Sequence, residues 1–385
     1  MKLVNISFFA LMLVLLVLGA FLAGYLFHER LVGADNFPLL DEAYHLVKDH
    51  GLNPPPPDPA MEYGMIRGML QAYGDPHTAF FEPAQHELQS NALEGKYGGI
   101  GVQLEKDSQG YWVLFPFPES PARQAGIQDG DRLLAVEALK ISPDTPVDSI
   151  QSAVRGPVGQ NVKLTIGHAP GYAPVVLTLK REEIPLPSVT WRLDMGQPDV
   201  GVIKVNLIAA SSAEEIRHAV KDLTERGASR FVLDLRDNPG GLLTAGVDIA
   251  RLFLKEGVVM QQQYRDQDVQ TYRVEKAGPL ASIPLAVLIN EGSASAAEIA
   301  AGALQAQHRA PLIGTKSYGK DTIQLVFSLK DDSSLHVTSA HWWLPGQKSI
   351  GGIGLQPDVP VDPTQATAGA DPILQAAVQY LLSQP

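Results

Sequence analysis

The longest apolar run in the chain comes first. Ile6 to Phe27 is built from Leu, Phe, Val and Ala with no charged side chain. At about 1.5 Å of rise per residue, a helix over this run is roughly 33 Å long, enough to cross the apolar core of a bilayer. A cleaved leader has a shorter apolar region and a small-x-small site, and Ala20 and Ala23 are spaced wrongly for that pattern. The run therefore predicts an uncleaved, single-pass signal anchor over residues 1–27. Lys2 favours a cytoplasmic N-terminus, which puts the remainder outside the cytoplasm. Helical periodicity returns in LLDEAYHLVKDHG and AMEYGMIRGMLQAYGD, separated by the proline run NPPPPDP. Residues 28–94 thus predict a small helical region.

From Gly95 the pattern shortens and alternates. YGGIGVQLE reads as a glycine-rich loop entering a strand, and YWVLFPF as a second strand. SPARQAG reads as a short helix, DGDRLLAVEAL as turn and strand, and VDSIQSAVRG as a helix. NVKLTIGH and PVVLTLKRE alternate as strands, so residues 95–185 predict a compact β module. Beyond it, DVGVIKVNLI, RFVLDLRDN and PLAVLIN are apolar runs, each followed by a helical segment. Such alternation predicts βα units around a largely parallel sheet over residues 186–363, with functional groups where strands end and helices begin. A loop and the short helix PILQAAVQYLL close the chain over residues 364–385.

Composition changes this picture in two places. The chain of 385 residues carries a formal net charge of -12, which argues against a nucleic-acid partner, since that affinity rests on neutralising phosphates. Cysteine is absent, which excludes disulfides, thiolate catalysis, cysteine-based zinc sites and a lipidated cysteine. Neither H-E-x-x-H nor a Walker loop occurs, and no metal or cofactor is expected.

Two strand-to-helix junctions carry candidate chemistry. In LRDNPGGLL, Gly240 and Gly241 can point backbone N–H groups into a cavity, as an oxyanion hole requires; local sequence alone favours a tight turn needing positive φ. In NEGSASAAEIAAGA, Ser293 and Ser295 open a helix among small residues, and Ser295 with Glu298 fits the S-x-x-E capping box. Local sequence alone favours a cap. A reactive serine needs a proton acceptor, and none of the 10 histidines, His218, His308, His336 and His341 among them, sits in a telling context. Lys320 stands at a glycine turn before an apolar strand, where burial would lower its pKa and free its amine to act as base. Ser317 and Lys320 also spell S-x-x-K, but that motif needs a helix, and Gly319 with the β-branched run after it argues for turn and strand.

Taken together and in order, YGGIGVQL, SPARQAGIQDGDRLLAV, VRGPVG, LDLRDNPGGLL, GSASAAEIAAGALQ, GTKSYGKDTIQ and GLQPDVPV resemble the carboxyl-terminal processing, or tail-specific, serine proteases. The resemblance covers nearly everything from about residue 60 to 382. It implies a protease core similar to the crotonase and Clp-protease folds, with the β module as an inserted PDZ domain. It further implies Ser295 as nucleophile, Lys320 as general base, Gln324 as the amide orienting the lysine, and oxyanion donors at Gly240 or Gly241 and at Ala296. A PDZ domain adds a peptide strand at its edge and holds a terminal carboxylate on backbone N–H groups, here at Gly98, Gly99, Ile100 and Gly101. Arg155 aligns with an arginine that couples PDZ position to the active site in some relatives. Proteins with accessible C-terminal tails are the implied substrates, with an adaptor or activator and self-association left open. The family usually has Gly after the lysine; Asp321 here would favour the charged amine unless it points away. LPGQKSI also replaces the usual Thr-Pro-Ser-Gly-Arg-type loop. The rival readings are a catalytically silent, membrane-anchored PDZ scaffold and an acyl-CoA enzyme on the crotonase fold. The latter lacks any evident CoA site.

Overall fold

The computed structural model describes residues 37–56, 59–107, 109–169, 171–362, 364 and 371–384. The apolar run 6–27, and with it the predicted anchor, lies outside the described residues. No helix among the described residues is long and apolar enough to cross a membrane. Contacts divide the chain into a unit ending at Ala72 and a second from Tyr73 onward. The first holds helix Pro38–His50 and most of helix Ala60–Tyr73, on either side of the proline run.

The second unit is organised around a six-stranded sheet in the order Val189–Leu193, Val200–Val205, Arg230–Asp234, Leu285–Ile289, Leu312–Gly314, Val359–Pro360. The first pair is antiparallel and the others parallel, as the βα alternation predicts. Alternate residues face opposite sides of a strand. Phe231, Leu233, Leu285, Val287 and Ile289 join one apolar cluster with helices Ser212–Glu225, Leu243–Phe253 and Ala296–Ala306. Val232, Ala286 and Leu288 pack instead with Ile373, Leu374 and Ala377 of the C-terminal helix Pro372–Ser383. Covered on both faces, these strands need unbroken apolar runs, which is how LAVLI reads.

This mostly parallel sheet is not alone in the unit. A second, antiparallel sheet runs Ala79–Phe81, Ser334–Trp343, Val258–Tyr264, Gln270–Arg273, with Thr322–Ser328 also pairing to Ser334–Trp343. Its first strand corrects the expectation of helix alone through residue 94. Ala79–Phe81 lies between the helices Ala60–Tyr73 and Pro83–Glu94 and pairs with His336, Leu335 and Ser334.

The β module has its own sheet, Val102–Lys106, Trp112–Pro116, Asp131–Val136, Asn161–Gly167, Pro174–Lys180, and its own core around Ile100, Leu114, Ile150, Leu164 and Ile166. Val102–Lys106 is an edge strand. The two chain crossings into and out of the module, Lys96–Gly99 and Glu182–Pro185, pair with each other and tie its ends together.

Candidate active site

Strand Leu285–Ile289 ends in a turn that leads into helix Ala296–Ala306, and Ser295 occupies the junction with φ 54° and ψ -118°. A non-glycine residue at positive φ costs roughly 1–3 kcal/mol and persists only where its surroundings hold it. Here the holding groups are visible. Ser295 N–H donates to Glu298 Oε2 at 2.8 Å, within the expected capping box, and Ala294 N–H donates to the Asn238 carbonyl at 2.9 Å. Helix Leu243–Phe253 approaches the start of helix Ala296–Ala306 closely because Gly246 has no side chain: a Cβ there would lie 2.7 Å from the Ala296 carbonyl oxygen. The two serines then separate. The Ser293 hydroxyl is buried, donating to the Leu235 carbonyl at 2.8 Å and accepting from Asn290 N–H at 3.0 Å. Ser295 instead lines an open cleft of about 460 Å³, together with Gly240, Gly241, Lys320, Gln324, His336 and Trp342.

Lys320 reaches this cleft from the turn before strand Thr322–Ser328. Its Nζ donates to Gln324 Oε1 at 2.9 Å, and Gln324 Nε2 donates to the His77 carbonyl. Burial pushes the Lys320 pKa below the usual lysine range, opposed by the negative charge of Asp75. Asp321 does not face the amine: its Oδ2 accepts from the Ser349 hydroxyl at 2.8 Å, and a Cβ on Gly351 would lie 2.4 Å from the same oxygen. Ser317 is likewise occupied, donating to Glu298 Oε1 at 2.5 Å and accepting from Leu355 N–H at 2.7 Å.

Glu298 is more than a cap partner. Its buried carboxylate accepts from Ser295 N–H and Ser317 Oγ, and also from Gly319 N–H at 2.7 Å and Lys320 N–H at 3.0 Å. Burial pushes the carboxyl up, while these four donors pull the other way. One side chain therefore fixes the backbone of both the serine turn and the lysine turn. Sequence reasoning saw only its local i+3 relation to Ser295; the donors at 317–320 are brought to it by tertiary folding. His336, without a telling context in the sequence, also belongs here. It lines the cleft, its Nε2 is buried without a hydrogen-bond partner among the described residues, and its pKa is lowered by burial first and then by His86 and Lys320.

The expected oxyanion donors do not all remain available. Gly240 N–H is taken by Asn238 Oδ1 at 2.8 Å, so Gly240 cannot donate to a ligand in this conformation. Its part is steric: a Cβ there would lie 2.9 Å from Ser295 Cβ and 3.1 Å from Ala296 N. Gly241 N–H and Ala296 N–H make no hydrogen bond among the described residues, and Ala296 opens the helix, where the first N–H groups lack intrahelical partners. The loop carrying the glycines is anchored by Arg236, whose guanidinium spans Asp234 at 2.7 Å and Asp371 at 2.8 Å. Burial opposes that charge, but the two carboxylates push the Arg236 pKa up. Among the described residues no cluster of His, Asp and Glu is arranged to hold a metal ion.

In the β module, Gly98 and Gly99 belong to the crossing strand paired with Glu183 and Glu182, rather than to an open loop. Ile100 is fully buried in the module's core, and Gly101 has φ 68°. Val102–Lys106, immediately after them, is one edge of the module's sheet, and Pro174–Lys180 is the other. Arg155 stacks over the Tyr97 ring at 4.2 Å, and burial lowers its pKa while Tyr97 and Glu87 oppose that shift. The neighbouring Arg181, which the sequence did not single out, donates to the carbonyls of Val154, Asn161 and Ala153 at 2.9, 3.1 and 3.2 Å. It closes the C-terminal end of helix Val147–Val154.

Comparison with known proteins agrees with both halves of this architecture. Residues 199–361 match the model of peptidase family S41, and residues 118–166 match a PDZ domain. The chain is 34% identical to a carboxyl-terminal-processing protease of Synechocystis sp. over 90% of this chain and 84% of that protein. It is 35% identical to the protein of the same name from Picosynechococcus sp., over 84% and 79% of the two chains. It is also 31% identical to the carboxy-terminal processing protease CtpA of Bacillus subtilis, over 85% and 69%. The chain thus belongs to the S41 peptidases, as a serine protease of the carboxyl-terminal-processing type carrying a PDZ domain.

Proposed function

We propose that this protein is a membrane-anchored, extracytoplasmic endopeptidase that captures C-terminal tails on its PDZ domain and cleaves by a Ser295–Lys320 mechanism. Neutral Lys320 takes the Ser295 hydroxyl proton as Oγ bonds to the scissile carbonyl carbon. Gly241 and Ala296 N–H groups hold the resulting oxyanion. Collapse breaks the C–N bond, and the Lys320 ammonium returns the proton to the departing amine. A water molecule, deprotonated by Lys320, then attacks the acyl-enzyme, and the ester C–O bond breaks as Lys320 returns that proton to Ser295 Oγ. Gln324 orients the amine throughout. The tail would add to the edge Val102–Lys106, with its carboxylate on N–H groups near Gly101.

The observation that carries this reading is the half-buried Lys320 amine, held by Gln324 at 2.9 Å in the same cleft as the strained Ser295. Residues 6–27 supply the membrane anchor in this reading, with the protease on the periplasmic side. The test uses the full chain in detergent micelles and an unfolded protein with an apolar C-terminal tail, followed by mass spectrometry. Ser295→Ala and Lys320→Ala should each abolish cleavage while the proteins stay folded. Cleavage persisting in both variants would assign the reaction to another nucleophile, and a wild type that binds the tail without cutting would favour a scaffold.

A further inference from the structure

Gln324 can serve Lys320 in only one of its two amide orientations. With Oε1 toward Nζ it accepts a lysine N–H and leaves the amine lone pair open to Ser295. Turned over, it would present an N–H to that lone pair and occupy the base. The orientation is decided by what lies on the far side of the amide, and there the acceptor is the His77 carbonyl, which can take an N–H but cannot face an oxygen.

The His77 carbonyl is itself held by a compact turn. Asp75 Oδ1 accepts from His77 N–H at 3.0 Å, and Asp75 Oδ2 accepts from the Thr78 hydroxyl at 2.5 Å. The Thr78 oxygen in turn accepts from Thr338 N–H at 3.1 Å, and Thr338 is the register partner of Gln324 in the hairpin of Thr322–Ser328 with Ser334–Trp343. Strand Ala79–Phe81 continues the attachment along His336 to Ser334. We propose that residues Asp75 to Thr78 are a positioning element of the active site, selecting the Gln324 amide orientation that keeps the Lys320 lone pair free.

This inference rests on the Ser295–Lys320 reading and adds the group that orients its orienting residue. The charges around the amine come from several elements. Asp75 and His77 lie on the turn, Glu298 on helix Ala296–Ala306, and His336 on strand Ser334–Trp343, with His86 beyond it; Asp321 is turned to Ser349. Burial opposes ionisation of Asp75, yet Thr338, Thr78 and the His77 N–H hold its carboxyl down at about 2, so it is negative throughout the working range. Its charge favours the ammonium form of Lys320 against burial.

The test compares wild type, Asp75→Asn, Thr78→Val and Lys320→Ala as full chains, using an internally quenched peptide with a free apolar C-terminus. Thr78→Val loosens the turn with the charge in place: kcat falls about tenfold, KM stays within about twofold and the acid limb of the pH profile does not move. Asp75→Asn loosens the turn and removes the charge, so kcat falls similarly and the acid limb moves to lower pH. Thermal unfolding run alongside shows that the loss exceeds any change in folded fraction. An unchanged kcat in both variants would overturn the proposal, and so would an equal shift of the acid limb in Thr78→Val. Activity surviving in Lys320→Ala would instead overturn the underlying Ser–Lys reading.

Discussion

Replacing Gly240 by alanine tests the placement of Ser295 without touching a reacting atom. Gly240 sits at φ 100°, where an L side chain costs about 1–2 kcal/mol in backbone strain. The added Cβ would meet the Ala294 carbonyl oxygen at 2.8 Å, Ser295 Cβ at 2.9 Å and Ala296 N at 3.1 Å. Carbon atoms settle at about 3.5 Å or more, so the serine turn must retreat by about 0.6 Å. Gly240 cannot yield in the other direction, because its N–H is bonded to Asn238 and its carbonyl accepts from Ile208 N–H at 2.8 Å. Catalytic groups tolerate about 0.5 Å of misplacement, and here the proposed nucleophile, Ser295, and the proposed oxyanion donor, Ala296 N–H, are displaced together. A fall in kcat of about 10²-fold is expected, with a stability loss of about 2–3 kcal/mol. In a protein of this size that loss lowers the melting temperature by roughly 2–4 °C. The assay is steady-state cleavage of a quenched peptide well below the variant's melting temperature, paired with calorimetry. A folded Gly240→Ala protein whose kcat lies within about threefold of wild type would refute the reading that this glycine is packed against the proposed nucleophile.

Three further outcomes follow from the same geometry. Glu298→Gln leaves an amide N–H₂ facing backbone donors now bonded to a carboxylate. Two orphaned donors cost about 2–5 kcal/mol, read by denaturant unfolding, and peptide cleavage should fall at least tenfold. Lys320→Met should abolish cleavage yet raise stability at neutral pH, because burial lowers the lysine's folded pKa below its unfolded value. In the window between those values the unfolded chain binds more protons, so wild-type stability rises with pH there and the variant's advantage should vanish as the pH passes the unfolded lysine value. Melting curves from neutral to alkaline pH check this, and a Lys320→Met protein no more stable than wild type at pH 7 would count against a buried amine. Arg181→Met leaves the carbonyls of Val154, Ala153 and Asn161 without their donor, which should loosen the PDZ helix end. Binding of a C-terminal tail peptide, followed by fluorescence anisotropy, should weaken more than cleavage of a short peptide does.

What could be read from the sequence was whatever depends on near neighbours. Runs such as LAVLI and FVLDL fix buried parallel strands because both faces must be apolar, and the helices between them carry their own periodicity. Ordered motifs spread over the chain were enough to identify the family. They did not decide which contacts the chemistry uses. A glycine pair in LRDNPGGLL reads as two equal N–H donors, but Asn238, two residues before, folds back on Gly240 and leaves Gly241. Asp321 beside Lys320 reads as a threat to the base, but strand direction turns it toward Ser349, 28 residues on. Capping boxes are visible in sequence because i and i+3 are adjacent on any helix; that Glu298 also binds the lysine turn at 317–320 depends on how two sheets meet. The turn from Asp75 to Thr78 is held locally, by the Asp75 carboxylate on the His77 N–H and the Thr78 hydroxyl. Its contact with Gln324, 247 residues away, exists only because an N-terminal strand closes the antiparallel sheet beside the cleft. Sequence spacing determines local geometry, whereas proton positions at an active site depend on groups distant in the chain, and only the tertiary fold sets those.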